Sequence, residues 1–318
     1  MADIGCAGIL VADTFCGPMQ ALPREGQLLT LDSMPIKAGG CAANVGIGLV
    51  KQGWNVDVVG CLGDDASANV LRSCLEQYGV NCEFVTYTQE RPTSKTVILI
   101  VKGQDRRYIH VFGANEVFTC RHIDRDWLRK LKAFYLGGLF ALPGIDIDEL
   151  GTILQTCQNN NVATFVDILA PESLQGFDSL KDLLPYIDYF LPNNDEAAQI
   201  TGKTDPVDQI RAFKAHGANT VVITCGKRGS VANRNDSLWT CGVYTVDSID
   251  ASGAGDAFTT GLMTAVLRGL DLPDVLAYAS AIGASATRAV GCTDGVFTAE
   301  EAEAFIRSND IVLEESSL

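Results

Sequence analysis

Apolar and small residues alternate over Ile4–Val11, which predicts a first strand ending near Asp13. Gln27–Ile36, Thr96–Val101 and Arg107–Phe112 set polar residues between apolar ones and predict a half-exposed antiparallel sheet. A helical spacing begins at Asn44, a strand follows over Asn55–Gly60, and a helix over Ser67–Tyr78. Beyond about residue 130 the two periods alternate regularly. Strands are predicted at Ala133–Leu136, Ala163–Asp167, Tyr189–Pro192 and Thr220–Thr224, and helices at Asp146–Asn159, Glu196–Thr201 and Val207–His216. Such alternation builds βαβ units and a mainly parallel sheet covered by helices. Ligands of such sheets sit beyond the carboxyl ends of the strands. Asp13, Asp167 and Asn193 all fall at predicted strand ends. The last part is a turn of small residues opening a helix over Ala257–Leu267, then a run rich in Ala, Ser and Gly over Leu272–Gly291.

Composition narrows the function classes. The chain has 318 residues, enough for one large domain or two modest ones, and its 47% hydrophobic and 20% charged residues are ordinary globular usage. A net charge of −15 repels nucleic-acid backbones and anionic lipid, so neither is an expected partner. No apolar run reaches the length of a membrane span, and the first residues carry acid where a signal peptide needs basic charge. Eleven cysteines without a CxxC pair predict a reducing, cytoplasmic compartment. Three histidines, widely spaced, leave little material for zinc-protease patterns or a histidine triad.

The sharpest chemical feature is Asp250-Ala251-Ser252-Gly253-Ala254-Gly255-Asp256. A helix start presents free N–H groups and the positive end of the dipole, and small residues let the backbone close on an anion. Asp256 then has two readings: a helix cap, or a general base that takes a proton from a hydroxyl attacking a phosphate. Gly226-Lys227 is no Walker loop, since Val221 stands where that motif needs glycine, and no GxGxxG follows a strand.

This turn does not stand alone. Gly39-Gly40-Cys41-Ala42-Ala43-Asn44, continued by Gly60-Cys61-Leu62-Gly63-Asp64-Asp65, precedes it by about two hundred residues. Together the two signatures resemble those of the ribokinase/PfkB family of carbohydrate kinases, and the resemblance runs from Asp13 to about Val296. It implies an α/β fold: a ribokinase-like three-layer α/β/α sandwich with a mainly parallel central sheet and a small β-sheet lid. The large unit would comprise residues 1–13, 38–90 and 114–318, and the lid residues 14–37 and 91–113.

The resemblance also implies roles. Asp256 would be the catalytic base, and the amides of Gly253, Ala254 and Gly255 the anion hole. Asp13, Gly39, Gly40 and Asn44 would bind the acceptor. Asn193, Thr224, Gly226, Gly229, Gly283 and Ala284 would bind ATP, while Lys227 and Arg228 read better as solvated surface charge. Glu196 would hold Mg2+ through water. Some family members also hold a monovalent cation, K+, for which the ligands here would be Asp250 with carbonyls near Ser252, Ala289 and Gly291.

The implied activity is ATP-dependent phosphorylation of a primary hydroxyl on a small sugar. A nucleoside kinase is the alternative on the same scaffold, with Phe15, Phe112 and Phe140 as aromatic candidates, and a non-catalytic sugar or nucleotide sensor is a third reading that has no need of Asp256. Phe112-Gly113-Ala114-Asn115 resembles the ribokinase pattern. Ribose itself is disfavoured, because ribokinase carries polar residues where this chain has Val11 and Cys41, and a Glu after the central strand where Tyr135–Phe140 offers none. The exposed face of a small lid sheet invites a homodimer.

Overall fold

The computed structural model describes residues 2–104, 106–171 and 176–318; Met1, Asp105 and residues 172–175, which fall within the expected units, lie outside the described residues. In chain order the strands are β1 Ile4–Gly8, β2 Val11–Met19, β3 Ile36–Gly39, β4 Val56–Gly63, β5 Val85–Thr88, β6 Lys95–Val101, β7 Arg107–Val111, β8 Ala133–Leu139, β9 Ala163–Ile168, β10 Tyr189–Phe190, β11 Thr220–Thr224, β12 Ser230–Arg234, β13 Ser237–Cys241 and β14 Leu313–Ser317. Ten of them form one sheet in the order β14-β13-β12-β11-β10-β9-β8-β1-β4-β5. Pairing is parallel from β5 to β11 and antiparallel from β11 to β14.

The helices are α1 Cys41–Lys51, α2 Ala66–Gln77, α3 Arg125–Leu128, α4 Ile147–Asn159, α5 Asn194–Thr201, α6 Pro206–Ala215, α7 Ala254–Leu267, α8 Leu272–Ala286 and α9 Ala299–Ser308. They cover both faces of the large sheet. Cys6, Val58, Tyr135 and Phe165 point into one core with α1, α2, α7 and α8. Their neighbours Ala7, Val59, Leu136 and Val166 point into the other with α3, α4, α5 and α6. Both faces are dry, so the central strands read as continuous apolar runs and not as alternating ones. Helix starts are set by side-chain caps: Asp65 accepts from Ala68 N at 3.0 Å and Asp146 from Glu149 N at 2.9 Å.

The smaller sheet has the order β3-β2-β6-β7. It takes in Val11–Asp13 and Ala38–Gly39, beyond the expected span of 14–37. Three local expectations are corrected here. The predicted strand Ile4–Val11 breaks at Ile9 and Leu10, where Asn115 clamps the backbone: Leu10 N donates to its Oδ1 at 3.2 Å, and its Nδ2 donates to Leu10 O at 3.0 Å. Asp13 therefore lies within β2 instead of ending β1. Gln27–Ile36 forms no strand before Ile36, because its apolar residues find no face to bury; Leu28 remains 89% exposed. The sheet is mixed and not antiparallel throughout, since β2 and β6 run parallel.

Candidate functional site

The site lies at the carboxyl ends of β9, β10 and β11, against the N-terminus of α7. Gly253 caps α7 with φ 70°, and a Cβ there would stand 2.5 Å from the Cys292 carbonyl oxygen, so the turn requires glycine. The helix begins at Ala254, three residues earlier than its apolar spacing predicts. Ala254, Gly255 and Asp256 thus make up its first turn, where N–H groups lack helical partners. A Cβ on Gly255 would meet nothing within 4 Å, so this backbone is open to a ligand.

Asp256 does not cap the helix, which corrects one of its two readings. Its Oδ2 accepts a 2.8 Å hydrogen bond from Asn44 Nδ2. Asn44 sits in α1, inside the helix and not at its cap; the cap is Gly40. Asn44 is 5% exposed, and its Oδ1 has no hydrogen-bond partner. A buried carbonyl oxygen of this kind can accept from a ligand hydroxyl. Gly39 brings the chain against Asp13, for a Cβ on Gly39 would collide with the Asp13 carboxylate.

Two adjoining cavities meet at α7. The first, about 220 Å³, is lined by Cys41, Asp167, Asn193, Glu196, Thr224, Gly253, Ala254, Gly255 and Asp256. The second, about 400 Å³, is lined by Thr224, Gly226, Lys227, Gly229, Tyr244, Phe258, Gly283 and Ala284. The five residues expected on the nucleotide side other than Asn193 therefore share one cavity, and Asn193 and Glu196 share the other with Asp256. Lys227, read as surface charge, is exposed yet also lines the second cavity.

The first cavity is a concentration of acid. Burial pushes Glu196 up to about 7, raises Asp256, and holds Asp167 well above the usual carboxylate range; Asp13, beside Gly39 and outside the cavity lining, is pushed up to about 6. Asn44 opposes the shift at Asp256 by hydrogen bonding to its ionised form. Tyr135 donates to Asp167 at 3.1 Å. Hard oxygen donors in this density suit a divalent cation, which would relieve the cost of keeping them ionised. Asn193 is less free than expected: its Oδ1 accepts from the N–H of Asp195 and of Glu196 at 2.9 Å each, and Glu196 Oε2 accepts from Asn193 N. It is the cap of α5, and both Asn193 and Glu196 line the first cavity.

Several groups here escape sequence reasoning. Cys41 Sγ and carboxylate oxygens of Asp167 and Asp256 lie within 4.8 Å of one another, and burial together with the charges of Asp256, Asp167 and Glu196 keeps Cys41 a thiol. Cys41 thus stands beside Asp256 and Asp167, a contact its place in the glycine signature does not announce. Asp167 was visible only as a carboxylate at a strand end. Arg106 pairs with Asp250, and Lys37 with Asp294 across 257 positions, neither of which leaves a local trace. Of the aromatic candidates, Phe15 is buried, Phe112 exposed and Phe140 half-buried.

A cleft of carboxylates beside an open helix start, with an apolar cavity alongside, is suited to bind a phosphorylated small molecule. The comparisons with known proteins give the family. The description "pfkB family carbohydrate kinase" matches residues 1–299, and the chain belongs to that family. Ribokinase of Haemophilus influenzae is 25% identical over 291 residues, covering 89% of this chain and 92% of the relative. Arabidopsis thaliana ribokinase, solved with ribose and ATP, superposes with a TM-score of 0.82 at 21% identity, covering 96% of this chain and 99% of that one. An Escherichia coli chain solved with ATP and Mg2+ superposes at 0.80 with 19% identity, covering 97% and 100%. The ribokinase-like fold and kinase class expected from the sequence are therefore established. No helix among the described residues is long and apolar enough to cross a membrane.

Proposed function

We propose that this chain transfers the γ-phosphoryl group of ATP to a primary hydroxyl of a small sugar. The observation that carries this reading is the uncapped Asp256 carboxylate in the first turn of α7, held by Asn44 and facing a cavity. Asp256 takes the hydroxyl proton as the oxygen attacks phosphorus, and the N–H groups of Gly253, Ala254 and Gly255 take up charge on the transferring group. Asp13, the open Asn44 Oδ1 and the Gly39-Gly40 backbone hold the acceptor. Thr224, Gly226, Gly229, Gly283 and Ala284 line the space for the nucleotide. Glu196, with Asp167 and Asn193 beside it, would hold Mg2+, which supplies charge neutralisation at the phosphates.

The small sheet serves as the lid that excludes water. Tyr108, Ile109 and Val111 of its edge strand β7 are exposed, which supports pairing with a second copy; light scattering at the mass of a dimer is the expected result. All eleven cysteines are free, as suits a reducing cytoplasm. A coupled ADP-release assay across pentoses, hexoses, keto-acid sugars and nucleosides identifies the acceptor, with a sugar other than ribose expected to be turned over fastest.

A further inference from the structure

Asp250 opens the turn that leads into α7, and both of its oxygens are engaged. Oδ1 accepts from Ser252 N at 2.7 Å, and Oδ2 accepts from Gly291 N at 3.1 Å. Arg106, which stands just before β7 in the small sheet, places Nη1 2.5 Å from the same Oδ1. The pair is enclosed: the Arg106 side chain is 16% exposed and that of Asp250 5%. One residue before Gly291, the Val290 carbonyl accepts from Lys37 Nζ at 2.9 Å, and the same ammonium lies 2.7 Å from Asp294 Oδ2. Lys37 belongs to β3, also in the small sheet.

This is the place where the resemblance sets K+, on Asp250 and neighbouring carbonyls. The residues present do not fit that ion. A monovalent cation needs oxygen ligands that are not already paired with a cation, and here the Asp250 carboxylate faces a guanidinium and the Val290 carbonyl faces an ammonium. A further positive charge among them would be repelled by both. We propose that Arg106 and Lys37 are the built-in counter-ions of the anion-hole turn, and that this kinase works without a bound K+.

A consequence is specific to this chain. Lys37 lies in the small sheet and Arg106 immediately before its strand β7, while Asp250, Val290 and Asp294 lie on loops of the large sheet's unit. The charge that organises the start of α7 is therefore complete only when the small sheet lies over the site. A soluble ion would bind whether the sheet was open or closed; two tethered side chains tie the anion hole to closure. An enclosed guanidinium–carboxylate pair is also screened less by salt than an exposed one, so its charge acts on the turn at full strength.

The inference rests on the kinase reading above, so its test has a readout that needs no turnover. The full chain is compared in chlorides of K+, Na+ and tetramethylammonium at constant ionic strength, by ADP release with the best acceptor and by thermal unfolding without any ligand. The wild type is expected to vary by less than about twofold in rate, and to show no K+-specific rise in unfolding midpoint. The Arg106→Gln/Lys37→Gln variant is expected to lose about tenfold or more in rate in tetramethylammonium. K+ should restore part of that rate and should raise its unfolding midpoint. Should the double variant not fold, Arg106→Gln alone carries the same comparison. The proposal is overturned by a wild type that K+ activates several-fold or stabilises selectively, or by a variant that keeps the wild-type rate in all three salts. A chain that turns over no acceptor contradicts the kinase reading, and the unfolding comparison still decides this one.

Discussion

Asn44 and Asp256 stand 212 positions apart, and Asn44 Nδ2 donates a 2.8 Å hydrogen bond to Asp256 Oδ2. This single bond joins the two signatures of the sequence. It also works on the chemistry, since burial raises the Asp256 carboxyl and the Asn44 bond is the foremost influence lowering it again. Replacing Asn44 by Leu removes that influence. A hydrogen bond to a charged group contributes about 1.5–3 kcal/mol, so turnover at neutral pH should fall about tenfold to a hundredfold. The acid limb of the kcat profile should move to higher pH, because Asp256 then deprotonates later. An unchanged profile would show that Asn44 serves only the acceptor.

Glu196 gives a prediction on stability. Its pKa is raised from 4.5 to about 7, so the folded protein holds this proton more tightly than the unfolded chain does. The ionised group then costs stability, a cost that begins above about pH 4.5 and is complete above pH 7. Glu196→Gln should raise the unfolding midpoint at pH 8 by about 2–4 °C and leave it nearly unchanged at pH 5. The Gln oxygen can still accept from Asn193 N, so the cap of α5 survives. The same variant should lose the stabilisation that Mg2+ with ATP confers. Scanning calorimetry at the two pH values checks both; a lower midpoint at pH 8 would contradict the account.

Gly39→Ala addresses the acceptor side. The added methyl would collide with the Asp13 carboxylate and displace it. The acceptor KM should rise about tenfold or more while the KM for ATP stays within about twofold, because neither Gly39 nor Asp13 lines the cavity proposed for the nucleotide. Equal losses for both substrates would mean that the change propagates through the fold.

Much of this arrangement is legible in the chain before any coordinates. The two glycine signatures announce themselves because their chemistry is local: a tight turn, small residues and one acid. The parallel strands do so through apolar runs, and Thr220–Thr224 is read with its observed bounds. Gln27–Ile36 misleads because alternation reports a half-buried face only when something packs on it, and Leu28 and Met34 are left exposed. The break at Ile9–Leu10 is hidden because its cause, Asn115, lies 105 positions away. Arg106 on Asp250 and Lys37 on Val290 are invisible for the same reason. Contacts between segments so far apart in the chain have no period and no spacing.

The central claim is that Asp256 is the base of a phosphoryl transfer, and Asp256→Asn tests it most directly. The amide preserves size and can still meet Asn44, so ATP binding by calorimetry should stay within about twofold of the wild type. ADP release with the best acceptor should fall by about a hundredfold to ten-thousandfold, the usual weight of a positioned proton acceptor. Intact ATP binding with turnover lost is the result this account predicts. A near-wild-type rate from Asp256→Asn would contradict it.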